Sequence, residues 1–319
     1  MKPKKTGLTM IELLIVLAII ALLVGLLIPA LNTVRNIAKE TKQKAQFATI
    51  EMALAAFKND EGDYPPSVWP LPPNPGSDYC GAQKLAEALL GWDLLGFHPN
   101  TAWRADGLDA AGGPGSYDPA HTRDVNPPPS GDGIPDTFDE RKGPYLELAT
   151  VNAFRLIDLF RPNSISSLDP DTFVICDVFG AKKITMVNRI DPVTGQPITV
   201  TEKAGAPILY YHANTSGKVI NDVYRASDDD ALVVTKQQDD GRLHPLANPN
   251  GAYQFFYDYI RDPKITAKPW PYRPDSYMLI SAGADGLYGT GDDIRNIFTG
   301  SFTRFRALGR YWKKSAIRL

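Results

Sequence analysis

The chain has 319 residues, enough for one or two domains with a hydrophobic core, and its 43% hydrophobic and 22% charged content is ordinary for a globular protein. A net charge of −2 gives no electrostatic footing for nucleic acid as a main partner. Two cysteines, Cys80 and Cys176, form no Cys-x-x-Cys pair, which argues against a zinc ribbon or dithiol chemistry; they remain either one disulfide closing a long loop or two buried thiols.

Residues 1–7, MKPKKTG, carry Lys2, Lys4 and Lys5 and no acid. Leu8 to Leu31 follow with a single charge, Glu12. A helix of that length covers about 36 Å and crosses a hydrocarbon core of about 30 Å. The basic flank stays cytoplasmic and sends the rest of the chain across. A signal peptide cut after Ala30 or a plain signal anchor would share this layout. Neither accounts for Glu12, because an ionised carboxylate in such a segment costs about 2.5 kcal/mol or more and is usually functional.

The string Gly7-Leu8-Thr9-Met10-Ile11-Glu12-Leu13-Leu14 resembles the prepilin signature of type IV pilins and type II secretion pseudopilins. The resemblance implies that a membrane prepilin peptidase cuts between Gly7 and Leu8 and methylates the new N-terminus. Leucine stands where the family usually has phenylalanine or methionine. The cut frees an α-amine four residues from Glu12. That acid can neutralise the amine of its own chain or of the neighbour in a stack, which offsets its low-dielectric cost. Glu12 is therefore an expected assembly group.

Gly25 and Pro29 interrupt the apolar run, and by likeness to pseudopilin filaments the stretch between them is expected to melt or kink. Residues 32–58 continue the helix amphipathically, with Phe47, Ile50, Leu54 and Phe57 spaced three and four apart against a polar face of Arg35, Lys39, Lys42, Lys44 and Gln46.

Residues 59–319 form the globular part. Asn59 to Pro66 end the helix with turn residues and resemble the D-x-G-x-Y-P element of major pseudopilins. Residues 67–143 read as a loop-rich insertion with one helical candidate, Ala82–Leu95. Within it, Asp132 and Asp136 in GDGIPD make a weak second metal candidate, set against a solvated turn. Residues 144–319 hold the sheet and the C-terminal loop. Val174–Gly180 and Pro207–Tyr211 resemble the family's paired strands. Between them Lys182–Ile190 and Pro197–Lys203 read as a hairpin insertion, and Ser276–Ser281 as the last central strand.

After that strand, Gly283 to Asp293 hold three carboxylates and four glycines in eleven residues. Glycines permit left-handed turns that aim carbonyls inward, and carboxylates are hard oxygen ligands; the spacing is not that of an EF-hand. The loop resembles the calcium loop of major pseudopilins, which implies Ca²⁺ held by Asp285, Asp292 and Asp293; a metal-free glycine turn is the alternative. Asp228–Asp230 and Asp239-Asp240 read as solvated loops. No nucleophile elbow, zincin, P-loop or Rossmann string is present, so an enzyme is not expected.

The expected fold is α+β and pilin-like: a long N-terminal helix packed on an antiparallel sheet, with long loops and a hairpin insertion. The resemblance implies a pseudopilus subunit of type II secretion, anchored in the inner membrane with its globular domain periplasmic or extracellular. Its partners would be the prepilin peptidase and methyltransferase, other copies, minor pseudopilins and the assembly platform. A minor type IV pilin and a signal-anchored surface binding protein are the alternatives.

Overall fold

The structure, a computed structural model, describes residues 10–68, 78–108, 117, 140–148, 151–165, 167–180, 182–190, 197–247 and 253–297, with the side chains at 26, 27, 29, 30, 32, 33, 185–190 and 197–200 outside that description. Two compact units are resolved, Met1–Lys42 and Gln43–Leu319.

Helix α1 runs from Met10 to Glu61. It is helical through Gly25 and Pro29, so of the melting or kink expected there the melting does not occur. A proline forfeits one hydrogen bond in a helix, and many consecutive turns on either side sustain the rest. In the larger unit the expected stripe of Phe47, Ile50, Leu54 and Phe57 is buried, joined by Ala53. They pack with Leu85, Leu89 and Leu90 of α2 (Gly81–Leu90) and with Ile208, Tyr210, Tyr277 and Leu279 of the sheet segment. Phe57 meets Phe97 edge-on at 4.8 Å between ring centroids. Helix α2 is shorter than the expected Ala82–Leu95, because Gly91 (φ 92°) and Leu94 (φ 68°) take left-handed backbone at its end.

The central sheet is antiparallel, with β6 (Tyr277–Ser281) between β5 (Leu209–His212) and the short β7 (Ile294–Arg295). The register sets Leu209 opposite Ile280 and Tyr211 opposite Met278. Alternation decides the packing. Tyr277 and Leu279 join α1 on one face, while Met278 and Ile280 face Leu232 and Val233 of α5 (Ser227–Asp240) and Phe256 and Ile260 of α6 (Gln254–Ile260). Burial on both faces explains the unbroken apolar run of β6.

Strands β1 (Ala153–Arg155) and β2 (Phe173–Ile175) form a separate antiparallel pair. The expected pairing of 174–180 with 207–211 reduces to one bridge, Cys176 with Pro207, plus the bond from Ile208 N to the Ile175 carbonyl at 2.8 Å. The hairpin insertion stands as β3 (Lys182–Ile190) and β4 (Pro197–Ala204), with a bulge between Met186 and Arg189. Short helices α3 (Leu156–Leu159) and α4 (Ile220–Val223) and a 3-10 turn at Pro162–Ser164 complete the described elements. The result is the α+β arrangement expected, an N-terminal helix followed by small antiparallel sheets and loops.

The acidic runs correct the sequence reading. Asp228–Asp230 are the first turn of α5 and Asp239-Asp240 its last, not solvated loops. Asp228 and Asp229 are fully buried. Acids suit a helix N-terminus, where the unpaired N–H groups and the macrodipole favour negative charge. Gly241 (φ 68°) closes the other end.

Candidate functional site

Two regions carry function-bearing residues, and each is built from its own unit. In the N-terminal unit, Glu12 lies in the first turn of α1, where the helix dipole favours its charge. Around it the apolar side chains stand in the open, from Met10 at 81% exposure to Leu31 at 45%. A run of exposed large hydrophobics on one helix is an interaction surface, since water penalises it. The processing residues Gly7 and Leu8 lie outside the described residues.

The second region is the loop from Gly283 to Asp293, between β6 and β7. Gly283 (φ 65°), Gly286 (φ 71°) and Gly289 (φ 94°) supply its left-handed turns. The Asp285 carboxylate accepts the Leu287 N–H at 2.8 Å, and its own N–H donates to Asp292 Oδ2 at 2.9 Å. Thr290 Oγ1 donates to Asp292 Oδ1 at 2.6 Å. Partial desolvation, with Asp292 beside it, pushes the Asp285 carboxyl up to about 6. Asp293 turns inward: its Oδ2 accepts from Tyr259 Oη at 2.5 Å and from Gly289 N at 2.7 Å, and burial raises it to about 7. Asp285 and Asp292 thus lie side by side toward solvent, with Asp293 beneath them holding the turn.

Among the described residues no three His, Cys, Asp or Glu side chains are grouped so as to hold a metal ion alone. The loop instead offers two outward carboxylates and a threonine hydroxyl. That all-oxygen donor chemistry fits a hard divalent cation and not zinc, and an ion would relieve the pressure between Asp285 and Asp292.

Residues that follow α5 brace this loop. Arg242 Nη1 donates to the Asp285 carbonyl at 2.8 Å, and Tyr288 N donates to His244 Nδ1 at 3.1 Å. Leu246 N donates to the Tyr288 carbonyl at 3.2 Å. Sequence reasoning passed over Arg242, His244, Tyr259 and Thr290. No spacing rule links 242–246 to 283–293, and a lone histidine carries no signal.

Residues 2–28 match the model of the prokaryotic N-terminal methylation motif. The chain carries a prepilin-type N-terminus. No curated protein and no solved structure matches it. The prepilin motif implies processing by a prepilin peptidase and assembly with other pilin-type subunits. It marks structural subunits, not enzymes, and points to an inner-membrane-anchored N-terminus.

Among the described residues no helix is long and apolar enough to cross a membrane. Asp132 and Asp136 lie outside the described residues. Cys80 and Cys176 are both buried free thiols, so the disulfide considered from sequence is not formed. The thiols face different neighbours, Asp229 for Cys80 and Asp177 for Cys176, and burial raises both well above the usual range.

Proposed function

We propose that this prepilin-type chain is a structural subunit of a type II secretion pseudopilus. In this reading the leader is removed after Gly7, Leu8 is methylated, and residues 8–31 hold the subunit in the inner membrane with the globular unit on the far side. Glu12 then meets the α-amine of Leu8 in its own chain or in the adjacent subunit, and the exposed apolar helix packs against copies of itself. The observation that carries the reading is the methylation motif at residues 2–28 with its acid set in an exposed apolar helix.

The acidic loop supports the secretion branch of this reading. Asp285 and Asp292, with loop carbonyls, would hold one Ca²⁺, and Asp293 completes the loop as ligand or brace. The ion would supply charge neutralisation and rigidity, with no chemistry of its own. A minor pilin of a type IV pilus is the second reading, favoured by the β3–β4 hairpin, which pairs only with itself among the named sheets.

Replacing Glu12 with leucine tests the assembly claim in cells, read by cross-linking of neighbouring helices. The expected result is a stable, membrane-held subunit that no longer polymerises. Normal polymers from the variant would remove the role given to Glu12.

A further inference from the structure

The acidic loop is held from outside as well as by its own carboxylates. A backbone N–H only donates, so the 3.1 Å contact from Tyr288 N makes His244 Nδ1 an acceptor. The ring proton is then on Nε2, which donates to Asp240 Oδ2 at 3.1 Å. Lys236 and Arg242 donate to the same carboxylate oxygen. The imidazole is fully buried, and Gln237 Oε1 accepts the His244 backbone N–H at 3.0 Å. Orientation and tautomer are therefore both fixed, by Gln237 and Asp240 of α5 on one side and by Tyr288 N on the other. Tyr288 sits mid-loop, between Asp285 and Thr290, with its hydroxyl on the Pro207 carbonyl at 2.5 Å.

We propose that His244 is a positioning residue for the cation loop: it holds the loop backbone at Tyr288 in the shape that sets Asp285 and Asp292 side by side, without touching the ion. The proposal rests on the cation reading above. Arg242, bonded to the Asp285 carbonyl, is the second tether of the same clamp.

The test is calorimetric titration of the full-length chain in detergent micelles with Ca²⁺, beside unfolding midpoints in chelator. His244→Asn keeps an acceptor near the Nδ1 position and with it the Tyr288 bond. His244→Gln reaches the Nε2 position and keeps only the Asp240 contact. The asparagine variant should bind Ca²⁺ within about threefold of the unaltered chain, and the glutamine variant about tenfold or more weaker, the range found for outer-shell partners of metal sites. Equal affinities for the two variants overturn the proposal. So does a lowered midpoint in chelator with affinity unchanged, which is what a merely structural histidine would give. An unaltered chain that binds no Ca²⁺ overturns the cation reading, and this proposal with it.

Discussion

Asp229 accepts the backbone N–H of Tyr210 at 2.7 Å, and its other carboxylate oxygen takes the Ala82 N–H at 2.8 Å. One buried side chain thus joins the start of α5 to strand β5 and to the first turn of α2. Gly81 lies where these elements meet, because a Cβ there would collide with the Tyr210 carbonyl.

Burial raises Asp229 to about 7, against the opposing pull of those two N–H groups. Below about pH 4 the carboxyl is protonated in both folded and unfolded chains and contributes no difference. Between roughly pH 4 and 7 the unfolded chain loses the proton and the folded chain keeps it, so stability falls as pH rises, and above pH 7 the full loss is present. Burial moves Asp177 and Glu87 to about 6 in the same direction. The urea midpoint of the globular unit is expected to be higher at pH 5 than at pH 7.5, with a shallower slope in Asp229→Asn. A midpoint that rises over this range contradicts the assignment.

Gly81→Ala should lower stability by about 1–3 kcal/mol, the usual cost of forcing atoms into a packed site. At Gly291 a Cβ meets nothing within 4 Å, so Gly291→Ala should stay within about 0.5 kcal/mol of the parent. Denaturant midpoints for the two variants check the contrast, and equal losses would refute the close approach at Gly81.

Gln43 Oε1 accepts the Val178 N–H and Gln46 Nε2 donates to the Cys176 carbonyl, each at 2.9 Å. Two side chains of α1 thereby bond backbone groups just beyond β2. Gln43→Leu should cost about 1–3 kcal/mol by orphaning the Val178 N–H. Lys44→Ala, one position away on the exposed side, should be neutral within about 0.5 kcal/mol. The comparison is again a pair of unfolding midpoints.

Chelation should lower the melting temperature of the unaltered protein, because Asp285 and Asp292 lie together with no cation between them once the ion is removed. Asp292→Ala should lose that sensitivity. Identical thermal curves with and without chelator would remove the proposed Ca²⁺.

The helix stripe from Phe47 to Phe57, the β3–β4 hairpin and the middle strand β6 were legible because periodicity and turn residues are local signals. Gln46 was read on the polar face of α1, yet it reaches the Cys176 carbonyl; a glutamine's partner is tertiary information. Asp228–Asp230 misled for a similar reason. Three acids beside turn residues look like a solvated loop, and it is distant hydrogen-bond donors, the N–H groups of Ala82 and Tyr210 among them, that make Asp229 tolerable inside. In the acidic loop the carboxylates and glycines were visible in the string. Asp293's inward turn onto Tyr259 and the His244 clamp depend on residues 34 and 44 positions away.

The account turns on how the N-terminus is processed. Mass spectrometry of the mature chain purified from membranes reads this directly. An N-terminal peptide beginning at methylated Leu8 is the predicted result. A peptide that begins at Met1, or at Leu31 after a cut behind Ala30, would contradict it.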